Sequence, residues 1–350
     1  MDQRFRPRRI LCLKLKHIGD VLLMTAATRA LRRVWPDAII AAMVPHGTEG
    51  VLQGNPDLDQ VLVFNRGTGS RGALASVRAA RQFGPDLVLA MGDGDREAIL
   101  ARLSGAPQRV GFLPRHSGQW RRLLLTRAVV SDGRRHTVRR NLDLLEGIGI
   151  PVEEAAPVLI VREEARQQIR ERLRSRGLAA GTPFVAVHPV SRWLFKAWPA
   201  ASCAETLAHL ARRGTAAVVT SGPEEKEQMA ARAILAQADV PVIDLIGQTS
   251  LPELAAVLAE AKVFVGVDSA PMHMAAAVGT PVVALFGPSG EHHWGPWGPG
   301  HVVVSSPYLC RPCGRDGCLG TKRSDCLDAI PAARILEAVE RFLPASAEAQ

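Results

Sequence analysis

The first segment that suggests chemistry is KHIGD, residues 16–20, which follows the first apolar run of the chain, Ile10–Leu15. Gly19 permits a tight turn, and Asp20 stands next to it at the start of an amphipathic stretch. A carboxylate in this position can act as a general base that takes a proton from an acceptor hydroxyl. Aspartate is also a frequent helix N-cap. The spacing alone leaves both interpretations open and favours the cap.

A second segment, residues 188–198 (HPVSRWLFKAW), combines the cations Arg192 and Lys196 with two tryptophans in a loop after a predicted strand. Cations bind phosphate, and flat apolar side chains bind a sugar or base ring. Four of the six tryptophans of this aromatic-poor chain lie in this loop and in residues 294–297. The segment therefore suggests a phosphate and sugar site, with ordinary packing of loop aromatics as the alternative.

Two further loops suggest contact with a ligand. In residues 266–273 (GVDSAPMH), Pro271 suits the first turn of a helix, whose free amides can hold a diphosphate. Asp268 is either a cap or a ligand for a sugar hydroxyl, and His273 is either a ligand or a core histidine. In residues 286–294 (FGPSGEHHW), the glycines allow close approach of the backbone, with a flexible surface loop as the alternative.

Four cysteines lie within one short segment with the spacing C-x2-C-x4-C-x7-C, namely Cys310, Cys313, Cys318 and Cys326. Four thiolates at these intervals can hold zinc or an iron–sulfur cluster. Disulfides are disfavoured in a reducing compartment. A structural metal site and a set of reduced thiols therefore both remain open, and no catalytic metal is assigned.

The elements that must position these loops are apolar strands that alternate with helices, which is typical of parallel sheets covered on both faces. Two such series meet at a seam near residues 150–160, whereas residues 105–135 are less regular and rich in arginine. The informative loops follow the carboxyl ends of strands, where open α/β sheets bind ligands. We expect two Rossmann-like domains, residues 1–155 and 156–350, that face each other across a cleft. The closing helix, Ile330–Phe342, is a candidate to pack back on the first domain.

The charge of the chain is distributed unevenly. Residues 1–150 contain 24 of the 43 lysines and arginines but only 13 of the 34 acidic residues. An anionic partner such as a nucleic acid, an anionic lipid or an acidic substrate is implied, with solubility as the alternative. The arginines lack aromatic interleaving and a DNA-reading helix, so no nucleic acid is expected. Neither a signal peptide nor a membrane span is evident, and we expect a cytoplasmic protein.

Taken together, these segments resemble glycosyltransferase family 9, the bacterial lipopolysaccharide heptosyltransferases, and within it the heptosyltransferase III branch. The resemblance extends from Ile10 to about Phe342. It implies a GT-B fold and inverting transfer from ADP-L-glycero-D-manno-heptose, bound by the second domain. The acceptor would be the lipopolysaccharide inner core, bound by the first domain, and the product a side-branch heptose on the second core heptose. It implies no cofactor for the transfer, and the basic domain could contact the anionic inner membrane peripherally.

The resemblance also suggests site residues. It makes Asp20 the general base, Lys196 the donor-phosphate lysine and Asp268 a donor-binding carboxylate. The expected donor-binding residues are Lys196, Arg192, Asp268, Ser269, Ala270, His273, Ser191, Gly287, Trp193 and Trp294. The expected acceptor-binding residues are Lys16, Arg66 and Arg122. Another GT-B sugar-nucleotide activity, such as epimerisation or a different heptosyltransferase step, and a non-catalytic binding protein remain the alternatives.

Overall fold

A computed structural model of the chain describes residues 5–65, 69–113, 119–130 and 132–344. The chain divides into two compact units, residues 1–160 and 161–350. Each unit contains one six-stranded sheet, and every paired strand in both sheets is parallel. The predicted α/β class with two Rossmann-like halves is therefore confirmed.

The first sheet has the strand order β3-β2-β1-β4-β5-β6. Its strands are β1 (Arg9–Leu13), β2 (Ile39–Pro45), β3 (Gln60–Phe64), β4 (Leu87–Ala90), β5 (Gln108–Leu113) and β6 (Arg127–Val130). Its helices are α1 (Ile18–Val34), α2 (Gly69–Phe83), α3 (Asp95–Leu103) and α4 (Thr137–Glu146). Helix α1 packs beside α4, and α2 packs beside α3. The central strands β1 and β4 are almost fully buried, as expected for a sheet with helices on both faces.

The second sheet has the order β12-β11-β10-β7-β8-β9. Its strands are β7 (Phe184–His188), β8 (Ala216–Ser221), β9 (Ile243–Ile246), β10 (Val263–Val267), β11 (Val282–Phe286) and β12 (Val302–Ser305). Its helices are α5 (Glu163–Ser175), α6 (Ala200–Arg212), α7 (Glu225–Ala238), α8 (Leu251–Glu260), α9 (Ala270–Ala277), α10 (Glu291–Trp294), α11 (Asp325–Asp328) and α12 (Ala332–Glu340). Read from β9, this order repeats that of the first sheet.

This strand order creates one switch point in each sheet. The chain leaves β1 towards β2 on one side, and β4 lies on the other side of β1; β7 and β10 are related in the same way. Loops that follow such a pair of strands diverge and leave a crevice at the carboxyl edge of the sheet, where α/β proteins bind ligands. The KHIGD segment follows β1, and the segments 188–198 and 266–273 follow β7 and β10.

Three strands and three helices lie where the sequence predicted none. Strands β5 and β6 fall in the arginine-rich region that was predicted to be less regular, and helix α3 precedes that region. Strand β12 follows a run of glycine, proline and tryptophan, and the four-residue helices α10 and α11 lie outside every predicted element. Strand β5 contains Arg109, whose guanidinium donates hydrogen bonds to the carbonyls of Leu124 and Ala106. β6 and β12 are four-residue edge strands with partly exposed side chains. Short edge strands carry a weak apolar pattern, which explains why they were missed.

The last helix, α12, packs against α6 and the edge strand β12 of the second unit. Its side chains Ile335 and Val339 are fully buried in the core of that unit. Packing of this helix on the first domain stays a prediction. Within the described ranges, no helix has the length and apolar character that a membrane-spanning segment requires.

Trp198 lies in the core of the second unit and is only 2% exposed. Its indole Nε1 donates a 3.3 Å hydrogen bond to Ser202 Oγ at the start of α6. The sequence analysis offered both tryptophans of residues 188–198, Trp193 and Trp198, as walls of a sugar or base pocket, with packing as the alternative. The burial of Trp198 shows that it is a packing residue. Trp193, by contrast, is 45% exposed.

We expect Trp198→Ala to lower the free energy of unfolding by about 3–5 kcal/mol, because it removes a large buried side chain and leaves a cavity. Trp193→Ala is the matched control and should change it by less than about 1 kcal/mol. Guanidinium denaturation followed by circular dichroism measures both. A Trp198→Ala variant of unchanged stability that binds ADP poorly would restore the pocket-wall interpretation.

Candidate active-site residues in each unit

Asp20 is the third residue of α1 and lies in its first turn. The residue that precedes the helix is His17, so the interpretation of Asp20 as the N-cap is wrong. Asp20 is 6% exposed. Within the described part of the chain its carboxylate accepts no hydrogen bond and has one ion-pair partner, the Nζ of Lys14 at 3.8 Å. The lone pairs of this carboxylate are therefore available to a hydroxyl.

A second charged group lies at the same edge of the first sheet, after β4. The carboxylate of Asp93 is 2.7 Å from Nη2 of Arg140 and 3.8 Å from Nζ of Lys16. Burial alone would raise the pKa of Asp93, but the charges of Arg140 and Lys16 hold that pKa below its usual range. The carboxylate is therefore ionised at neutral pH, and Lys16 keeps about a third of its side chain exposed. Lys16 can thus meet an anionic ligand at this edge.

The structure says less about the other two predicted acceptor-binding residues, Arg66 and Arg122. Arg66 lies outside the described residues. Arg122 is exposed on a short 3-10 helix, Gln119–Leu123. Its neighbour Arg121 is buried and holds the Asp95 carboxylate at 2.6 Å, so Arg121 stabilises the loop after β4.

The second unit brings together two of the predicted donor residues. Lys196 ends a 3-10 helix, Leu194–Lys196, that follows β7, and Asp268 is the first residue after β10. Their Nζ and Oδ2 atoms are 2.6 Å apart, and the side chain of Asp268 is only 8% exposed. The pair lies at the switch point between β7 and β10. A short, charge-assisted hydrogen bond fixes both side chains there.

Helix α9 begins directly behind this pair. Ser269 is its N-cap, and its hydroxyl donates to the carbonyl of Val267 at 3.2 Å. Ala270 opens the helix, and the first amides of a helix have no intrahelical partner. His273 lies within the helix, is 5% exposed, and has its ring 6.5 Å from that of Trp294. Pro271 has no amide hydrogen and the amide of Met272 donates to the carbonyl of Ser269, so the helix start can offer the amide of Ala270 to an anion.

The loop after β7 is fixed mainly by its own contacts. Ser191 Oγ accepts from the amide of Trp193 and donates to its carbonyl, both at 3.0 Å. Arg192 lies 3.3 Å from Glu224 and 6.0 Å from the centre of the Trp193 ring. Burial lowers the pKa of His188 to about 4, so this histidine is neutral. Arg192 and Trp193 remain accessible to a ligand, whereas His188 is structural.

Gly287 is explained by packing within the protein. A Cβ atom at this position would lie 2.5 Å from the side chain of Leu327, in α11. The carbonyl of Gly287 accepts from Nε of Arg311 at 2.8 Å, and Arg311 also contacts Ser306 and Glu291. Sequence reasoning missed Arg311, a buried arginine that connects three loops. Arg311 lies between Cys310 and Cys313, and the sequence analysis considered only the cysteines of that segment.

A buried carboxylate, Glu227, also escaped the sequence analysis. It lies in the first turn of α7, after β8, and occupies the space that a side chain at Gly222 would fill. Burial raises the pKa of Glu227, and the neighbouring Glu224 raises it further. The sequence pattern that could have indicated this buried glutamate is a glycine followed five residues later by a glutamate. The same pattern occurs in the first unit, where Glu97 fills the space beside Gly92.

The four clustered cysteines are free thiols. Cys310 and Cys313 are exposed, Cys318 is partly buried and Cys326 is buried. Burial raises the pKa of Cys326 to about 11. Among the residues with described positions, no three His, Cys, Asp or Glu side chains form a group that could hold a metal ion. A structural metal at these cysteines stays a prediction.

Comparison with known proteins identifies the family. The model of glycosyltransferase family 9 (heptosyltransferase) matches residues 74–323, more than half of the chain. Lipopolysaccharide heptosyltransferase 3 of Escherichia coli K12 is 29% identical over 342 residues, which cover 95% of this chain and 97% of that protein.

Solved structures agree with this match. A family 9 glycosyltransferase from Veillonella parvula has a TM-score of 0.84 at 25% identity, covering 96% of this chain and 97% of that one. The E. coli heptosyltransferase WaaC, solved with ADP, has a TM-score of 0.71 at 20% identity, covering 96% and 100%, and supports the fold alone. The predicted GT-B fold is thus confirmed, and the chain belongs to glycosyltransferase family 9, the heptosyltransferases.

Proposed function

We propose that this chain transfers a heptose from ADP-L-glycero-D-manno-heptose to the inner core of lipopolysaccharide, with inversion at the anomeric carbon. The heptose would become the side branch on the second core heptose. Similarity to heptosyltransferase 3 over nearly the whole chain supports this assignment. The observation that carries it is the Asp20 carboxylate, which is buried at the switch point of the first sheet and accepts no hydrogen bond from any described residue.

Asp20 acts as the general base in this proposal. The carboxylate takes the proton of an acceptor hydroxyl while the hydroxyl oxygen forms a bond to the anomeric carbon of the donor. The bond between that carbon and the β-phosphate oxygen breaks at the same time, and its electron pair leaves with ADP. The products are the extended core, ADP and a protonated Asp20, which returns its proton to water.

The donor end needs positive charge, because negative charge develops on the departing diphosphate. Lys196 provides an ammonium group, and the first turn of α9 provides the amide of Ala270. Asp268 holds Lys196 at 2.6 Å and has further lone pairs for a sugar hydroxyl. Further donor contacts are proposed for Ser191, Arg192, Trp193, Ser269, His273, Gly287 and Trp294.

The acceptor end would be recognised through charge. The inner core carries carboxylates and phosphates on a lipid anchor, and the first 150 residues carry the excess of basic side chains. Lys16 is partly exposed at the carboxyl edge of the first sheet, and Arg122 is exposed on the 3-10 helix after β5. Arg66 is proposed with them. The same basic surface would hold the enzyme at the cytoplasmic face of an anionic membrane.

We expect Asp20→Asn to lower kcat by about 10²–10⁴-fold, because the amide keeps the shape of the side chain but cannot accept the proton. Binding of ADP, measured by calorimetry, should stay within about twofold, since Asp20 is not part of the donor site. Asp37→Asn, at an exposed carboxylate after α1, is the matched control and should leave kcat unchanged. Full turnover by Asp20→Asn would refute the proposed base, and simultaneous loss of folding and ADP binding would indicate a structural residue.

Lys196→Met should weaken ADP binding by about 10–100-fold, because a charge-assisted hydrogen bond to phosphate is lost. Lys262→Met, at an exposed lysine of the same unit, is the control and should bind ADP normally. Isothermal titration with ADP measures both variants, and thermal denaturation shows whether Asp268 without its partner destabilises the fold. Unchanged ADP affinity in a folded Lys196→Met variant would exclude this lysine from the phosphate site.

Raising the salt concentration from 50 to about 300 mM should increase KM for the acceptor more than KM for the donor. Exposed charges such as Arg122 are screened over a Debye length of about 10 Å, whereas the partly buried pair of Lys196 and Asp268 is screened less. Initial rates of ADP release, measured with a truncated core as acceptor, separate the two constants. An equal increase in both would remove the acceptor role from the basic surface.

A further inference from the structure

We infer that Lys14 is a positioning residue that holds the Asp20 carboxylate in place for proton transfer. This inference rests on the proposed role of Asp20 as the base. Lys14 directly follows β1, is 4% exposed, and was not singled out by its sequence context. Its ammonium is 3.8 Å from Oδ1 of Asp20, which is within ion-pair distance but beyond a hydrogen bond.

The ammonium is fixed by neutral acceptors on two other elements. Nζ of Lys14 donates to the carbonyl of Met91, just after β4, at 2.8 Å and to Oδ1 of Asn141, in α4, at 3.2 Å. The amide of Asn141 in turn donates to the carbonyl of Leu23 in α1 at 3.1 Å. Helix α1 also carries Asp20, so the ammonium and the carboxylate are tied to one rigid frame.

The charges of Lys14 and Asp20 depend on each other. A buried ammonium without a counter-ion is unfavourable, and burial lowers the pKa of Lys14 while Asp20 opposes that shift. Asp20 is the one carboxylate within 4 Å of the Lys14 ammonium among the described residues. Asp93, the next acidic residue in the site, is paired with Arg140 and Lys16. Removing Lys14 would therefore leave Asp20 without a cationic partner.

This arrangement suits a base better than a tight salt bridge would. Lys14 directs one oxygen of Asp20 without forming a short hydrogen bond that would compete with the acceptor hydroxyl. A displacement of about 1 Å in a reacting group can reduce a rate about 10²-fold. The effect of losing Lys14 should therefore appear in kcat rather than in donor binding.

The test is a double-mutant cycle on kcat with Lys14→Met and Asp20→Asn. Lys14→Met alone should lower kcat by about 10–100-fold while KM for the donor stays within about twofold. In the Asp20→Asn background, the same change should alter the residual rate by less than about twofold, because the base through which Lys14 acts is already absent. Single-turnover detection of the extended core makes the residual rate measurable.

Asn141→Leu is the structural control. It removes one hydrogen-bond partner of Lys14 but leaves the ammonium beside Asp20. A positioning role predicts that Lys14→Met loses far more kcat than Asn141→Leu at a similar loss of thermal stability. Parallel losses of kcat and stability in the two variants would overturn the inference. If Lys14→Met does not fold, Lys14→Gln, which lacks the charge but keeps a donor, replaces it throughout with the same expected results.

The failures of the two proposals are distinguishable. Full turnover by Asp20→Asn alone would refute the base itself. An inactive Asp20→Asn combined with additive losses in the double variant would refute only the role of Lys14. A folded Lys14 variant with normal kcat would also refute that role and leave the base intact.

Discussion

A lysine–aspartate pair lies at the switch point of each sheet, buried in the first unit and partly buried in the second. An unpaired charge in such a place costs several kcal/mol, so each lysine needs its carboxylate and each carboxylate its lysine. The two pairs differ in length: Lys14 and Asp20 are 3.8 Å apart, whereas Lys196 and Asp268 are 2.6 Å apart. The longer pair leaves the carboxylate open to a hydroxyl, and the shorter one fixes an ammonium. This difference agrees with the separate proposed roles of a base and a phosphate-binding group.

Most of the fold followed from the periodicity of apolar residues, because buried parallel strands are nearly continuous apolar runs. That rule works for β4, β7 and β10, which are buried from end to end, and for β1, which is buried at every residue except Arg9. It fails at β6 and β12, which are edge strands with mixed burial. The sequence analysis missed β5 because an arginine within a short apolar run suggests a solvent-facing charge. In the structure, the guanidinium of Arg109 instead donates hydrogen bonds to loop carbonyls.

The site was predictable in its residue types but not in its pairings. Lys196 and Asp268 are separated by 72 positions, and only the sheet order brings them together. Lys14 was missed because the alternation Leu13-Lys14-Leu15-Lys16 gives no sign that the first lysine is buried and the second partly exposed. Trp198 was misjudged for a related reason, since sequence spacing does not tell a core tryptophan from a pocket wall. In each case the missing information is a contact between distant elements.

The Lys196–Asp268 contact has a consequence for the release of the nucleotide product. Asp268 is an internal counter-ion for Lys196, so a diphosphate must share that ammonium with a carboxylate of the protein. Under the proposed function, the net gain from binding ADP is the difference between two ionic contacts rather than the full strength of one. The protein thereby limits how tightly it retains ADP, and the recovered internal contact favours departure of the nucleotide before the next donor enters.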